Sequence, residues 1–121
     1  MGTILKGNQL AASQDLSMDF QTESIPISHI DVISFTVNCT SVTSNTGSFG
    51  LQFSSTEKDD RIQAPWIDLT LDTIPVLADA DDNFVISASE LGSGQVRLIF
   101  TGAGADGVAE IWVSGKKKGR I

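Results

Sequence analysis

The sequence predicts an all-β protein: an antiparallel, jelly-roll-like β-sandwich of about eight short strands with an extended N-terminal arm. Three observations predict it. Ser and Thr fill 24 of 121 positions and Gly another 11, while charged residues make up only 19%. Apolar residues recur at every second position, most clearly at Ile33, Phe35, Val37 and Cys39, the period of a strand with one dry and one wet face. Turn-forming clusters return about every 8–12 residues. A hydrophobic fraction of 40% in 12.9 kDa supports a single core and a single domain, and it excludes a disordered tail or a coiled coil.

The elements follow in order. Residues 1–15 lack a clean period and read as an arm, with a helical turn near residues 9–13. Leu16, Met18 and Phe20 alternate with Ser17 and Asp19. Ile25-Pro26-Ile27 is extended at an edge, since Pro26 has no N–H to give a ladder. Residues 33–40 form the clearest half-buried strand. Ser44, Asn45, Thr46 and Gly47 supply a turn into Phe49, Leu51 and Phe53, so these two strands are expected to pair as a hairpin. A polar loop over 54–65 leads to Trp66, with Ile67, Leu69 and Leu71 on one face. Short extended segments follow at 74–77 and 84–88. Val96, Leu98 and Phe100 form another strand, a glycine-rich hairpin tip spans 102–107, and residues 108–114 close a sandwich domain covering 16–115. The expected core is Phe35, Val37, Phe49, Leu51, Phe53, Leu69, Leu98, Phe100 and Ile111.

Charge narrows the partners. The net charge is −7, and all fifteen acidic residues precede position 116. Only four basic residues do; Lys116, Lys117, Lys118 and Arg120 make a basic tail over 116–121. An acidic body repels phosphates, so no direct nucleic-acid binding is expected. No stretch approaches the ~20 apolar residues of a membrane helix, and the N-terminus has neither a signal-peptide core nor the Ser or Thr of a myristoylation motif at Lys6. The lone Cys39 reads as a small buried hydrophobe in a reducing compartment. The sequon at Asn38 reads as chance without a secretion signal.

Enzymatic chemistry finds little support. His29 is the only histidine, and no G-x-S-x-G elbow accompanies it. Gly102, Gly104 and Gly107 match dinucleotide spacing, but a strand follows where a helix is needed. No cofactor is expected. Asp79, Asp81, Asn83, Val85, Ser87 and Glu90 match the ligand spacing of a calcium loop, yet Phe84 stands where Gly is required and Pro75 blocks an entering helix. A non-helical calcium loop on Asp79, Asp81, Asn83 and Glu90 is the one metal candidate. Trp66 and Trp112 are the two candidate sugar-stacking platforms.

The second half also carries a resemblance. "WIDLTL" follows "GSFGLQFS" across the polar loop, and "FVISASEL" precedes "VRLIFTGAGADGVAEIWVSGKK". A strand with Val96, Arg97, Phe100 and Thr101 runs into Gly102, Gly104 and Gly107. The last strand carries Trp112 and ends in Ser114, Gly115 and Lys116. Over residues 30–118 this order resembles small virion structural proteins of tailed bacteriophages, with Phe100 in place of the frequent Tyr. The resemblance implies a non-enzymatic head decoration (cement) protein, a dimer or trimer that clamps neighbouring subunits of the major capsid protein. It implies a place on the capsid surface after synthesis in the host cytoplasm. Ile4, Leu5 and Leu10 of the arm and Lys116, Lys117, Lys118 and Arg120 of the tail would then contact the shell. The alternative is a tail or fibre module that binds host surface carbohydrate.

Overall fold

The structure, a computed structural model, describes residues 4–27, 30–57, 60–71, 75–78, 80–89, 94–102 and 106–116, with side chains from Gln9 onward. Nine strands appear in it: β1 (Ile4–Asp15), β2 (Phe20–Gln21), β3 (Ile25–Pro26), β4 (Val32–Thr40), β5 (Ser48–Ser54), β6 (Ile67–Asp68), β7 (Asp82–Ser89), β8 (Gln95–Thr101) and β9 (Val108–Lys116). No helix occurs among the described residues. Alternation decides which way each strand faces. In β4, Ile33, Phe35, Val37 and Cys39 are buried while Ser34, Thr36, Asn38 and Thr40 lie on the outer side.

The strands form two sheets, one ordered β1-β9-β4-β7, the other β2-β8-β5-β6 with β3 also paired to β8. Every pairing is antiparallel. Strands β2 and β3 act as one interrupted strand along β8, broken short of Pro26. The pairs then nest: β1 with β9, β2 and β3 with β8, β4 with β7, and β5 with β6. That nesting results from rolling up one long antiparallel hairpin, and it is the jelly roll.

The two inner faces bury Phe35, Val37, Phe49, Leu51, Leu98, Phe100 and Ile111; Phe53 and Leu69 pack against that core while partly exposed. Phe49 joins the sheets. Its ring centroid lies 4.6 Å from Phe100 and 5.1 Å from Phe84 of the opposite sheet. Aromatic pairs at such spacing add about 0.5–1.5 kcal/mol each beyond their buried area.

Several expectations are corrected. Residues 9–13 are strand and not a helical turn, and residues 4–15 lie along β9 as an edge strand. Leu16 is buried in a turn, not a strand; the Ser17 N–H donates to Asp15 Oδ1 at 2.8 Å and redirects the chain. Ile67 is exposed and does not share the half-buried state of Leu69 and Leu71. The largest correction concerns β4 and β5. They do not pair as a hairpin but belong to opposite sheets, and so do β8 and β9 on either side of the glycine-rich tip. Strand β4 buries its whole inner side and β5 buries Phe49 and Leu51, and these apolar sides meet face to face across the core rather than edge to edge.

Residues 41–47 carry the chain between the sheets. Ser41 leaves β4 with φ of 58°, a conformation that ends a strand. Asn45 is completely buried. Its Nδ2 donates to the Leu16 carbonyl at 2.7 Å and to the Asp106 carbonyl at 2.8 Å, and its Oδ1 accepts from the Gly47 N–H at 2.9 Å. One amide thereby ties the β1–β2 turn, the β4–β5 crossover and the β8–β9 crossover. Gly47 leaves this knot with no room for a side chain: a Cβ there would sit 2.3 Å from Phe100 Cζ.

Asn45→Ala strands two carbonyls and one N–H in a buried place. We expect a loss of about 2–4 kcal/mol of stability, read from urea denaturation. A loss under about 1 kcal/mol would show that the amide is not a keystone.

Candidate functional site

The outer face of the β1-β9-β4-β7 sheet spans four strands. Register sets its side chains in rows. Gln9, Trp112, Thr36 and Val85 stand side by side across all four strands. On one side lie Ser114, Ser34 and Ser87, with the Ser34 and Ser87 hydroxyls hydrogen-bonded at 2.9 Å. On the other lie Glu110, Asn38 and Asn83, where Asn38 Nδ2 donates to Glu110 Oε1 at 3.2 Å. The indole of Trp112 stands 41% exposed at the centre, because its neighbours Ile111 and Val113 take the inward positions. Around it the face carries hydroxyls, amides and Val85. Its described charges lie off the Trp112 row: Glu110 in the next row, Asp15 opposite Val108 at one end of β9 and Lys116 at the other end.

The outer side of the second sheet is different. Trp66 is covered: the Arg97 guanidinium sits 4.0 Å from its ring centroid. Arg97 Nε donates to Gln52 Oε1 at 2.9 Å, and Gln52 Nε2 donates to Asp68 Oδ1 at 2.8 Å. Trp66, Arg97, Gln52 and Asp68 thus form a connected ladder across β8, β5 and β6. Burial lowers the Arg97 pKa without removing its charge. Beside the ladder, Gly50 leaves an open floor against Ile99, and Leu69 and Leu71 wall a pocket of about 220 Å³. A broader hollow of about 460 Å³ lies beyond Ile99, lined by Asp19, Gln21, Gln52 and Arg97.

The predicted site residues separate on this frame. Trp66 and Trp112 lie on opposite sheets and cannot form one platform; only Trp112 offers a free ring face. Leu10 packs against the protein's own core, which spends the apolar contact expected for a partner. Ile4 and Leu5 belong to β1, opposite Lys116 and Gly115. Lys116 is exposed at the end of β9; Lys117, Lys118 and Arg120 lie outside the described residues, as does His29.

The calcium spacing is not realised as a loop. Asn83, Val85 and Ser87 are consecutive outward positions of a straight strand, so Asn83 and Ser87 stand roughly 13 Å apart, too far for one ion. Asp81 Oδ1 instead accepts the Val42 N–H at 2.9 Å. Asp79 and Glu90 lie outside the described residues, and no group of three metal-ligating side chains occurs among those described.

Acidic side chains serve the crossover. Asp106 accepts hydrogen bonds from the Thr43 hydroxyl and N–H and from the Ser44 N–H, the last at 3.0 Å. These bonds hold its pKa below the ordinary value. Cys39 is buried, and burial, with Asp82 and Asp81 nearby, pushes its thiol up to about 11. It is therefore protonated at neutral pH and is no nucleophile. Asn38 of the sequon lies within β4, half-buried and bonded to Glu110.

No protein-family model matches the chain, and no curated protein matches it.

The Asp106 contribution is complete above the unfolded carboxyl pKa and is lost as pH falls through the lower folded value. Asp106→Asn should therefore lower Tm at pH 7, and the gap to wild type should close below about pH 4; a gap constant with pH would refute the assignment. The two Trp residues should also differ. Trp66→Ala removes an engaged ring and should cost about 1–2 kcal/mol, whereas Trp112→Ala should stay within about 0.5 kcal/mol of wild type, both by chemical denaturation.

Proposed function

We propose that this chain is a virion structural protein of a tailed bacteriophage, a head decoration protein that clamps neighbouring capsid subunits. The observation that carries the reading is the exposed indole of Trp112 amid neutral side chains on a four-stranded sheet face. Interface cores are depleted of charge and enriched in Trp, and a chain of net charge −7 whose row of Gln9, Trp112, Thr36 and Val85 is neutral across four strands has a surface suited to a broad partner. The jelly roll supports the reading at the level of fold, since viral shell proteins use it among other families. The strand and turn order that resembles phage virion proteins adds to it.

A clamp of this kind works by mass action. It binds the assembled shell and not separate subunits, so binding favours assembly. Lattice repetition lets many weak contacts act together. Trp112 would seat against the shell, with Ser34, Thr36 and Ser114 giving hydrogen bonds around it. Lys116, with Lys117, Lys118 and Arg120, would pair with acidic shell groups at the rim, with salt-sensitive strength.

A second reading is favoured by one observation. Glu110 and Asn38 stand in the row beside the exposed indole, and a carboxylate and an amide beside a free ring are the groups that hold a sugar. In that reading the protein is a tail or fibre module.

Quantitative peptide mass spectrometry of purified particles tests both. A decoration protein should be present at roughly one third to one copy per shell subunit, and Trp112→Asp protein, still folded, should fail to bind shells. A ratio of a few per cent, with glycan quenching of Trp fluorescence lost in Trp112→Ala, would favour the sugar module. Absence from particles would overturn the virion reading.

A further inference from the structure

We infer that two copies of this chain associate edge to edge through β7, antiparallel about a two-fold axis at Val85, so that two four-stranded sheets become one of eight. The inference goes beyond the virion reading and does not rest on it.

A sheet edge presents unpaired N–H and C=O groups, and proteins blunt such edges with short strands, bulges, Pro or Lys. Three of the four edges here are blunted. Strand β6 has two residues, as do β2 and β3, and β3 contains Pro26. Strand β1 is long, but its pairing with β9 shifts register three times, which twists its outer side. Strand β7 differs. It runs eight residues in unbroken register with β4, from Cys39 opposite Asp82 to Val32 opposite Ser89. It holds no Lys, Arg or Pro, and its far side has no partner strand among the described residues.

The side chains of β7 fit a second copy of themselves. Antiparallel pairing about Val85 sets Val85 against Val85, Asn83 against Ser87, Phe84 against Ile86 and Asp82 against Ala88. On the outer side an amide meets a hydroxyl at both ends of a Val pair. On the inner side Phe84, left half-buried where the sandwich stops, gains Ile86 of the second copy as an apolar neighbour. The acidic Asp81 and Asp82 face neutral Ser89 and Ala88, so no like charges oppose directly, an arrangement that costs stability when they do. The outer row of Gln9, Trp112, Thr36 and Val85 would continue through the axis into its symmetry mate. Such an interface is isologous and closed, so it ends at the dimer and does not propagate into fibres.

Val85 is the place to test it, being 60% exposed in the single chain and self-opposed in the pair. Sedimentation equilibrium of the full chain over micromolar and higher concentrations should show a dimer. Val85→Lys alone and Val85→Glu alone should each weaken it by about tenfold or more, because each sets like charges on the axis. An equimolar mixture of the two should restore a dimer, now mixed, which a folding defect cannot produce. Ser13→Lys, on the opposite edge strand β1, should leave association unchanged. A monomeric wild type, a dimer indifferent to Val85→Lys, or folded variants that fail to pair when mixed would each overturn the inference.

Discussion

The fold depends on one buried amide. A jelly roll requires the chain to pass between sheets repeatedly, and each passage exposes backbone groups that no ladder satisfies. Asn45 closes three such places at once, bonding Leu16, Asp106 and Gly47 from a site with no solvent contact. Nearby carboxylates finish the work: Asp81 takes the Val42 N–H, and Asp106 takes those of Thr43 and Ser44. Several acidic residues of this chain thus serve as anionic caps for the backbone. Gly94 closes the molecule elsewhere in a related way: its φ of +136° and the Ser54 carbonyl 2.2 Å from any added Cβ admit no other residue.

With the crossovers fixed, the two outer faces take opposite characters. On the second sheet Trp66, Arg97, Gln52 and Asp68 satisfy one another and leave the Trp66 ring covered. On the first, local hydrogen bonds pair Ser34 with Ser87 and Asn38 with Glu110 while leaving Trp112 open. The asymmetry between the two faces directs attention to the four-stranded sheet, and β7 at its border holds no Lys, Arg or Pro.

How much of this was legible in the sequence depended on whether the cause was local. The strands β4, β5, β8 and β9 were legible because burial of every second residue writes itself as alternation at Phe35, Val37, Phe49, Leu51, Leu98 and Ile111. Strand β1 was not, since its three register shifts break the period that would announce a strand. The partner of β5 was misjudged because Asn45 reads as a turn residue, and its burial between Leu16 and Asp106 depends on segments far off in sequence. The exposure of Trp112 was readable from Ile111 and Val113 on either side. The covering of Trp66 was not, because Arg97 reaches it from a different strand. The strand at 82–89 was legible only as a short extended segment at 84–88, because its alternation at Asn83, Val85 and Ser87 coincides with the ligand spacing of a calcium loop, and pairing with β4 is what holds them in line.

The pairing of β1 with β9 has a mechanical consequence. Ile4 lies opposite Lys116, so the outer ends of the two strands sit together at one corner of the sheet. Tension applied between those two residues would not shear the ladder, where all bonds share the load. It would open the ladder from that corner, one hydrogen bond after another. The bulges in β1 make the first steps easier still. A cargo fused to one end would hang beside anything held at the other, and a pull between them would peel β1 away before the remainder of the sandwich feels the force.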